Sequence, residues 1–166
     1  MAPQTIWRRG MLGVAAACIA AVTAALLAQY GFDMRPCPWC ILQRLIYLAL
    51  ALVCVAAAMV DARGLRHALA GLALVLAGCG VAAAIWQHVV AARQFSCNLT
   101  FADNVITALR LESLVPPLFQ VTATCAEAQV SVLGVPFEYW SLLLFVLLGA
   151  VIARLMLRPA ASVDAR

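Results

Sequence analysis

The chain has 166 residues, 66% of them hydrophobic, and a mean hydropathy of +1.02. Soluble domains hold roughly 45–50% apolar residues, so this composition excludes an ordinary water-soluble globule and points to a membrane protein. All eleven basic residues are arginine, and the formal charge of +4 gathers at the ends of apolar runs, which reads as membrane topology rather than nucleic-acid binding.

A bilayer core about 30 Å thick needs roughly 20 apolar residues in helical form. The first such run is expected over 11–31, since no charge falls between Arg9 and Asp33. Arg8 and Arg9 followed by Ala15-Ala16-Ala17-Cys18 faintly resemble a secretory or lipoprotein signal. The run continues far past Cys18, longer than the ~7–15 residues of a signal core, so an uncleaved helix is expected. A second run over 41–60 carries one charge, Arg44, and a third over 67–90 has no Asp, Glu or Arg and holds His88 near its far end. The fourth, 136–157, starts beside Glu138 and ends near Arg154, which can snorkel to the interface.

Between these runs lie two loops of opposite character to the termini. Arg8, Arg9, Arg63, Arg66, Arg154, Arg158 and Arg166 fall on one side, while the loops 32–40 and 91–135 carry most of the acids. The positive-inside rule places both termini in the cytoplasm and both loops outside. The fold class expected is an all-α integral membrane protein: an antiparallel bundle of four transmembrane helices, forming a single membrane domain over 1–166. Within the long loop, Phe101, Val105, Ile106 and Leu109 recur at helical spacing, followed by Leu114 and then Pro116-Pro117, which should end the helix. Such a helix either lies in the membrane interface or packs on its own loop. Trp86, Tyr139 and Trp140 mark the outer interface. Gly71, Gly78, Gly80 and the many alanines should allow close helix packing.

Seven cysteines cannot all pair. Cys18, Cys54 and Cys79 fall inside apolar runs, where they should be buried, inert small hydrophobes. Cys37, Cys40, Cys97 and Cys125 fall in the outer loops, on a side where oxidising conditions permit disulfides. Cys37-Pro38-Trp39-Cys40 is a C-x-x-C pair at the start of the second helix, a spacing that allows a redox disulfide and places a thiolate near unpaired helix N–H groups. The same four cysteines could instead form a structural zinc site, although Cys97 and Cys125 do not come as a second C-x-x-C.

Arg44 follows Cys40 by four residues, so a helix puts it on the same face and about 6 Å deeper. A cation in the apolar zone costs roughly 2.5–3.5 kcal/mol at mid-bilayer, which suggests a role: holding a thiolate, or hydrogen-bonding a quinone oxygen. The plain alternative is an arginine that snorkels and fixes helix depth. His88, on the same outer side, reads either as an interfacial anchor or as part of a site.

These residues resemble the DsbB family of bacterial inner-membrane enzymes over the whole chain. The resemblance is carried by the C-x-x-C of the first outer loop, the two cysteines of the second and Arg44 four residues after Cys40. Cys125-Ala126-Glu127, leading through Leu133-Gly134 and Pro136 to Trp140, adds to it. Pro38 and Trp39 depart from the commonest family form. The resemblance implies two redox-active disulfides, Cys37–Cys40 and Cys97–Cys125. It implies a thiol:quinone oxidoreductase that reoxidises a periplasmic thioredoxin-fold disulfide donor resembling DsbA and passes electrons to a membrane quinone, ubiquinone or menaquinone. The donor would attack Cys97, Cys125 would exchange onto Cys37, and Cys40 would meet the quinone above Arg44, with His88 matching a quinone-site histidine. Two other readings stay open: a quinone-linked enzyme of the vitamin K epoxide reductase type, and a non-enzymatic four-cysteine metal-binding membrane protein.

Overall fold

The computed structural model describes residues 3–90, 100–128, 131–132 and 134–157. Cys97 lies outside the described residues. Four long helices dominate: α1 (Pro3–Gly31), α2 (Pro38–Met59), α3 (Arg63–Val89) and α7 (Phe137–Leu157). Each is long and apolar enough to cross a membrane, which makes this a multi-pass membrane protein. Three start earlier than hydropathy predicts, at 3, 38 and 63 rather than 11, 41 and 67. The first turns of α1 and α3 carry polar or charged residues that backbone hydrogen bonding takes into the helix, and α2 starts at Pro38, which suits a first helical position.

Tertiary bonds fix the helix directions. Trp7 Nε1 donates to the Ala57 carbonyl at 3.1 Å, and Gln4 Nε2 to Asp61 Oδ1 at 3.0 Å, so α1 begins where α2 ends. His88 of α3 pairs with Glu138 of α7 at 2.8 Å, so α3 ends where α7 begins. With three residues joining α2 to α3, sequential helices run antiparallel. One end of the bundle therefore collects the last turns of α1 and α3, the first turns of α2 and α7, and both loops expected outside.

Small residues let the helices approach. The buried face of α3 is Ala70, Ala73, Ala77, Gly80 and Ala84, nearly all without bulk. At Gly80 the ring of Phe145 lies where a Cβ would stand, and that ring stacks on Tyr47 with centroids 4.0 Å apart. Gly71 and Gly78 do not serve close packing as expected; a Cβ at either would meet open space. Cys18 and Cys54 are buried in the core, but Cys79 is exposed. It falls two residues after buried Ala77, a rotation of roughly 200° that turns it off the packed face. Leu52, Val75, Leu143 and Val146 are likewise exposed, forming an apolar exterior suited to lipid.

The long loop departs from the expected single helix. α4 (Phe101–Ala108) starts with a capping box between Thr100 and Asp103. Arg110 then adopts φ 51° and breaks the chain direction before α5 (Leu111–Leu114). α5 stops at Leu114, ahead of Pro116-Pro117 as expected, and Pro116 then opens α6 (Pro116–Phe119), because a first helical position needs no N–H. Ile106 packs between Ile41 and Phe119, whereas Phe101, Leu109 and Leu114 are exposed. The loop thus docks on α2 by one narrow face while presenting apolar side chains outward. A two-residue hairpin, β1 (Ser131–Val132) and β2 (Val135–Pro136), turns at Gly134 with φ 78° and leads into α7.

Candidate functional site

The C-x-x-C pair straddles the start of α2. Cys37 is the N-cap, with extended φ −91°, Pro38 opens the helix, and the N–H of Cys40 donates to the Cys37 sulfur at 3.4 Å. The two sulfurs lie 2.9 Å apart as thiols. Cys37 is fully buried, while Cys40 is partly exposed. Their surroundings differ accordingly.

Cys37 faces the long loop. Both Thr122 N–H and Ala123 N–H donate to the Pro36 carbonyl, at 3.1 and 3.3 Å, clipping the loop to the residue before Cys37. Cys125 then packs against the cluster of Cys37, Trp39, Leu42, Ala83 and Ala102, beside the Cys37 thiol. A turn holds it there: Thr124 N–H and Oγ1 both donate to Glu127 Oε2 at 2.9 Å. These donors draw the Glu127 carboxyl below its usual value. Burial pushes the Cys37 thiol well up, helped by the neighbouring thiols of Cys125 and Cys40.

Cys40 faces a cavity of about 230 Å3 at the same end of the bundle. Its apolar wall comes from Ala21, Ala24, Ala25 and Ala28 on one face of α1, with Phe137, Trp140 and Leu144 from α7. Polar groups converge on one region: Cys40, Gln43 and Arg44 of α2, Gln87 of α3, and Glu138 and Ser141 of α7. Arg44 does not snorkel. It is 6% exposed, and its guanidinium donates to Gln29 Oε1 at 2.7 Å, the Leu118 carbonyl at 3.1 Å and the Ala25 carbonyl at 3.5 Å. Three of its five N–H donors are thus engaged, which fixes the plane of the group while it lines the cavity.

A chain of neutral hydrogen bonds, not foreseen from the sequence, also reaches the Cys40 sulfur. Ser141 Oγ donates to Gln43 Oε1 at 2.5 Å, Gln43 Nε2 to Gln87 Oε1 at 2.7 Å, and Gln87 Nε2 to Cys40 Sγ at 3.4 Å. Tyr47 Oη meets Ser141 at 3.1 Å. The amides are ordered head to tail, so the last group presents a donor to sulfur. Polar residues in apolar runs beside Arg44 and His88 were the sequence signal for Gln43 and Gln87.

His88 is placed differently from a simple ligand residue. Its Nδ1 pairs with Glu138 Oε1 and its Nε2 with the Tyr139 hydroxyl at 2.9 Å. Glu138, rather than His88, lines the cavity.

The family profile described as Disulfide bond formation protein DsbB matches residues 7–155. The chain belongs to the DsbB family. Disulfide bond formation protein B of Verminephrobacter eiseniae is 31% identical over 154 residues, covering 91% of this chain and 86% of that protein. Its namesake in Pseudomonas syringae pv. tomato is 33% identical over 144 residues, covering 85% and 84%. That of Herminiimonas arsenicoxydans is 32% identical over 143 residues, covering 84% and 88%. This DsbB-family chain is therefore a membrane protein of disulfide bond formation, with three of its four expected redox cysteines gathered at one end of the bundle.

Proposed function

We propose that this chain is a protein-dithiol:quinone oxidoreductase of the bacterial inner membrane, with both termini cytoplasmic and its site on the periplasmic face. One observation carries the reading: Cys125 packs against Cys37 while Cys40, the other half of that pair, faces a membrane-level cavity. Cys37 can thus be reached by an incoming thiolate as Cys40 is released toward a different reactant.

The thiolate of a reduced thioredoxin-fold donor resembling DsbA attacks Cys97 and releases Cys125. Cys125 attacks Cys37, and Cys40 leaves as a thiolate; each exchange conserves one S–S bond. Thr124 and Glu127 hold Cys125 in its turn for this attack. Loss of the donor from Cys97 then leaves oxidised donor, a restored Cys97–Cys125 disulfide and a reduced Cys37–Cys40 pair.

The cavity fits a quinone headgroup on its own chemistry. Alanines make a flat apolar wall, and Arg44 and Gln87 bring N–H donors to the side where Cys40 lies. A bound quinone supplies a two-electron acceptor. Arg44 stabilises negative charge developing on an oxygen, in a site where low dielectric strengthens that effect. Gln87 donates to the Cys40 sulfur and fixes its place at the cavity. Oxidation closes the Cys37–Cys40 bond again.

The test is quinone reduction by purified protein with a reduced thioredoxin-fold donor, followed by loss of quinone absorbance. Cys40→Ser is expected to abolish turnover. Undiminished activity of that variant would overturn the mechanism.

A further inference from the structure

Reduction of a quinone to its hydroquinone needs two protons at oxygens that lie out of water, and among the described residues one carboxylic acid, Glu138, stands in the cavity wall with a partner reaching outward. Glu138 is 7% exposed and lines the cavity, whereas the His88 side chain behind it is 36% exposed and Tyr139 is 42% exposed. The three form a continuous series: Tyr139 hydroxyl to His88 Nε2 at 2.9 Å, then Nδ1 to Glu138 Oε1 at 2.8 Å. An ionisable residue sheltered inside a membrane bundle is costly, and its presence at a cavity marks function. Glu138 sits in the first turn of α7 and His88 in the last turn of α3, so the pair bridges the two helices at the cavity end of the bundle.

We propose that Glu138 is the proton donor to one quinone oxygen and that His88 reloads it from the outer aqueous face; this rests on the quinone reading above. In the full step the Cys37–Cys40 pair gives up two protons, one of them already released where Cys40 stands as a thiolate, and the S–S bond forms. The electron pair passes to the quinone. One oxygen takes its proton from Glu138, the other takes one released by the dithiol, and the second dithiol proton leaves to water. His88 returns a proton from that water to Glu138, so the sum is dithiol plus quinone giving disulfide plus hydroquinone. The charged and titratable groups sharing the cavity with Glu138 are Arg35, Cys40, Arg44 and Tyr47; His88 and Tyr139 face it from behind. Two arginines in one cavity leave room for a carboxyl group that cycles through its anion.

Glu138→Gln tests the proposal in the full-length protein. A glutamine oxygen still accepts from His88 Nδ1, so the tie between α3 and α7 survives while the acid is gone. The expected result is a kcat for quinone reduction about 100-fold lower, with quinone affinity, read by quenching of Trp140 fluorescence without donor present, changed less than twofold. Glu138→Asp should recover part of kcat, and a small weak acid added to Glu138→Gln should do the same. Wild-type kcat in Glu138→Gln would overturn the proposal, as would loss of quinone quenching in step with kcat, which would make Glu138 a binding residue. Absence of quinone reduction by the wild-type protein would instead remove the underlying reading.

Discussion

The guanidinium of Arg44 donates to the main-chain carbonyl of Leu118, 74 residues away, and so ties the cavity wall to the outer loop. A cation below the C-x-x-C pair thereby does two jobs. It points donors at the cavity, and it holds the segment that carries the chain on toward Cys125.

Arg44→Ala should therefore show two effects together. Hydrogen bonds to a charged group contribute roughly 1.5–3 kcal/mol each, so KM for quinone is expected to rise about 10-fold or more. Loosening of the Leu118 segment should also let trypsin cut sooner after exposed Arg110. Arg44→Lys should recover little of either, because one ammonium cannot span Gln29 and Leu118 as a planar fork does. An unchanged KM with unchanged cleavage would contradict this role.

Gly80→Ala should destabilise the bundle by about 1–3 kcal/mol, since the added methyl meets the Phe145 ring that is itself stacked on Tyr47. Gly71→Ala is the control: its Cβ meets nothing, and helix propensity should leave stability unchanged or raised by up to ~1 kcal/mol. Thermal unfolding in detergent reads both. Equal melting of the two variants would place the α3–α7 contact elsewhere.

The two glycines also show what the sequence could carry. Hydropathy located all four spans, because lipid contact leaves a signal in every residue of a run. Which glycine faces a neighbour depends on the rotation of each helix, and α3 is apolar all round, so no polar face betrays its orientation. The same ignorance hid the Ser141–Gln43–Gln87–Cys40 chain, whose members come from α7, α2 and α3. Glu138 was visible as a charge at the start of a span, but its place in the cavity wall follows from the pairing of α7 with α3. Arg44 was legible because a charge in an apolar run, four residues after a redox cysteine, needs no tertiary knowledge to stand out.

A pH effect follows from Cys37. Burial raises its thiol well above the ordinary 9.0, so the folded reduced chain keeps a proton that the unfolded chain loses. The stability tied to this group is complete below the unfolded value and is lost as pH rises toward the folded one. Reduced protein should thus lose more thermal stability as pH rises from about 9 to 10.5 than protein with Cys37 in a disulfide. Parallel losses in the two forms would count against a buried, protonated Cys37.

The central claim is that Cys125 can hand a disulfide directly to Cys37. The most direct measurement uses a chain carrying Cys40→Ser and Cys97→Ser, oxidised mildly in native membranes and mapped by mass spectrometry without reduction. The expected result is a peptide pair joined through Cys37 and Cys125. Recovery of both as free thiols that alkylate from opposite sides of the membrane would contradict it.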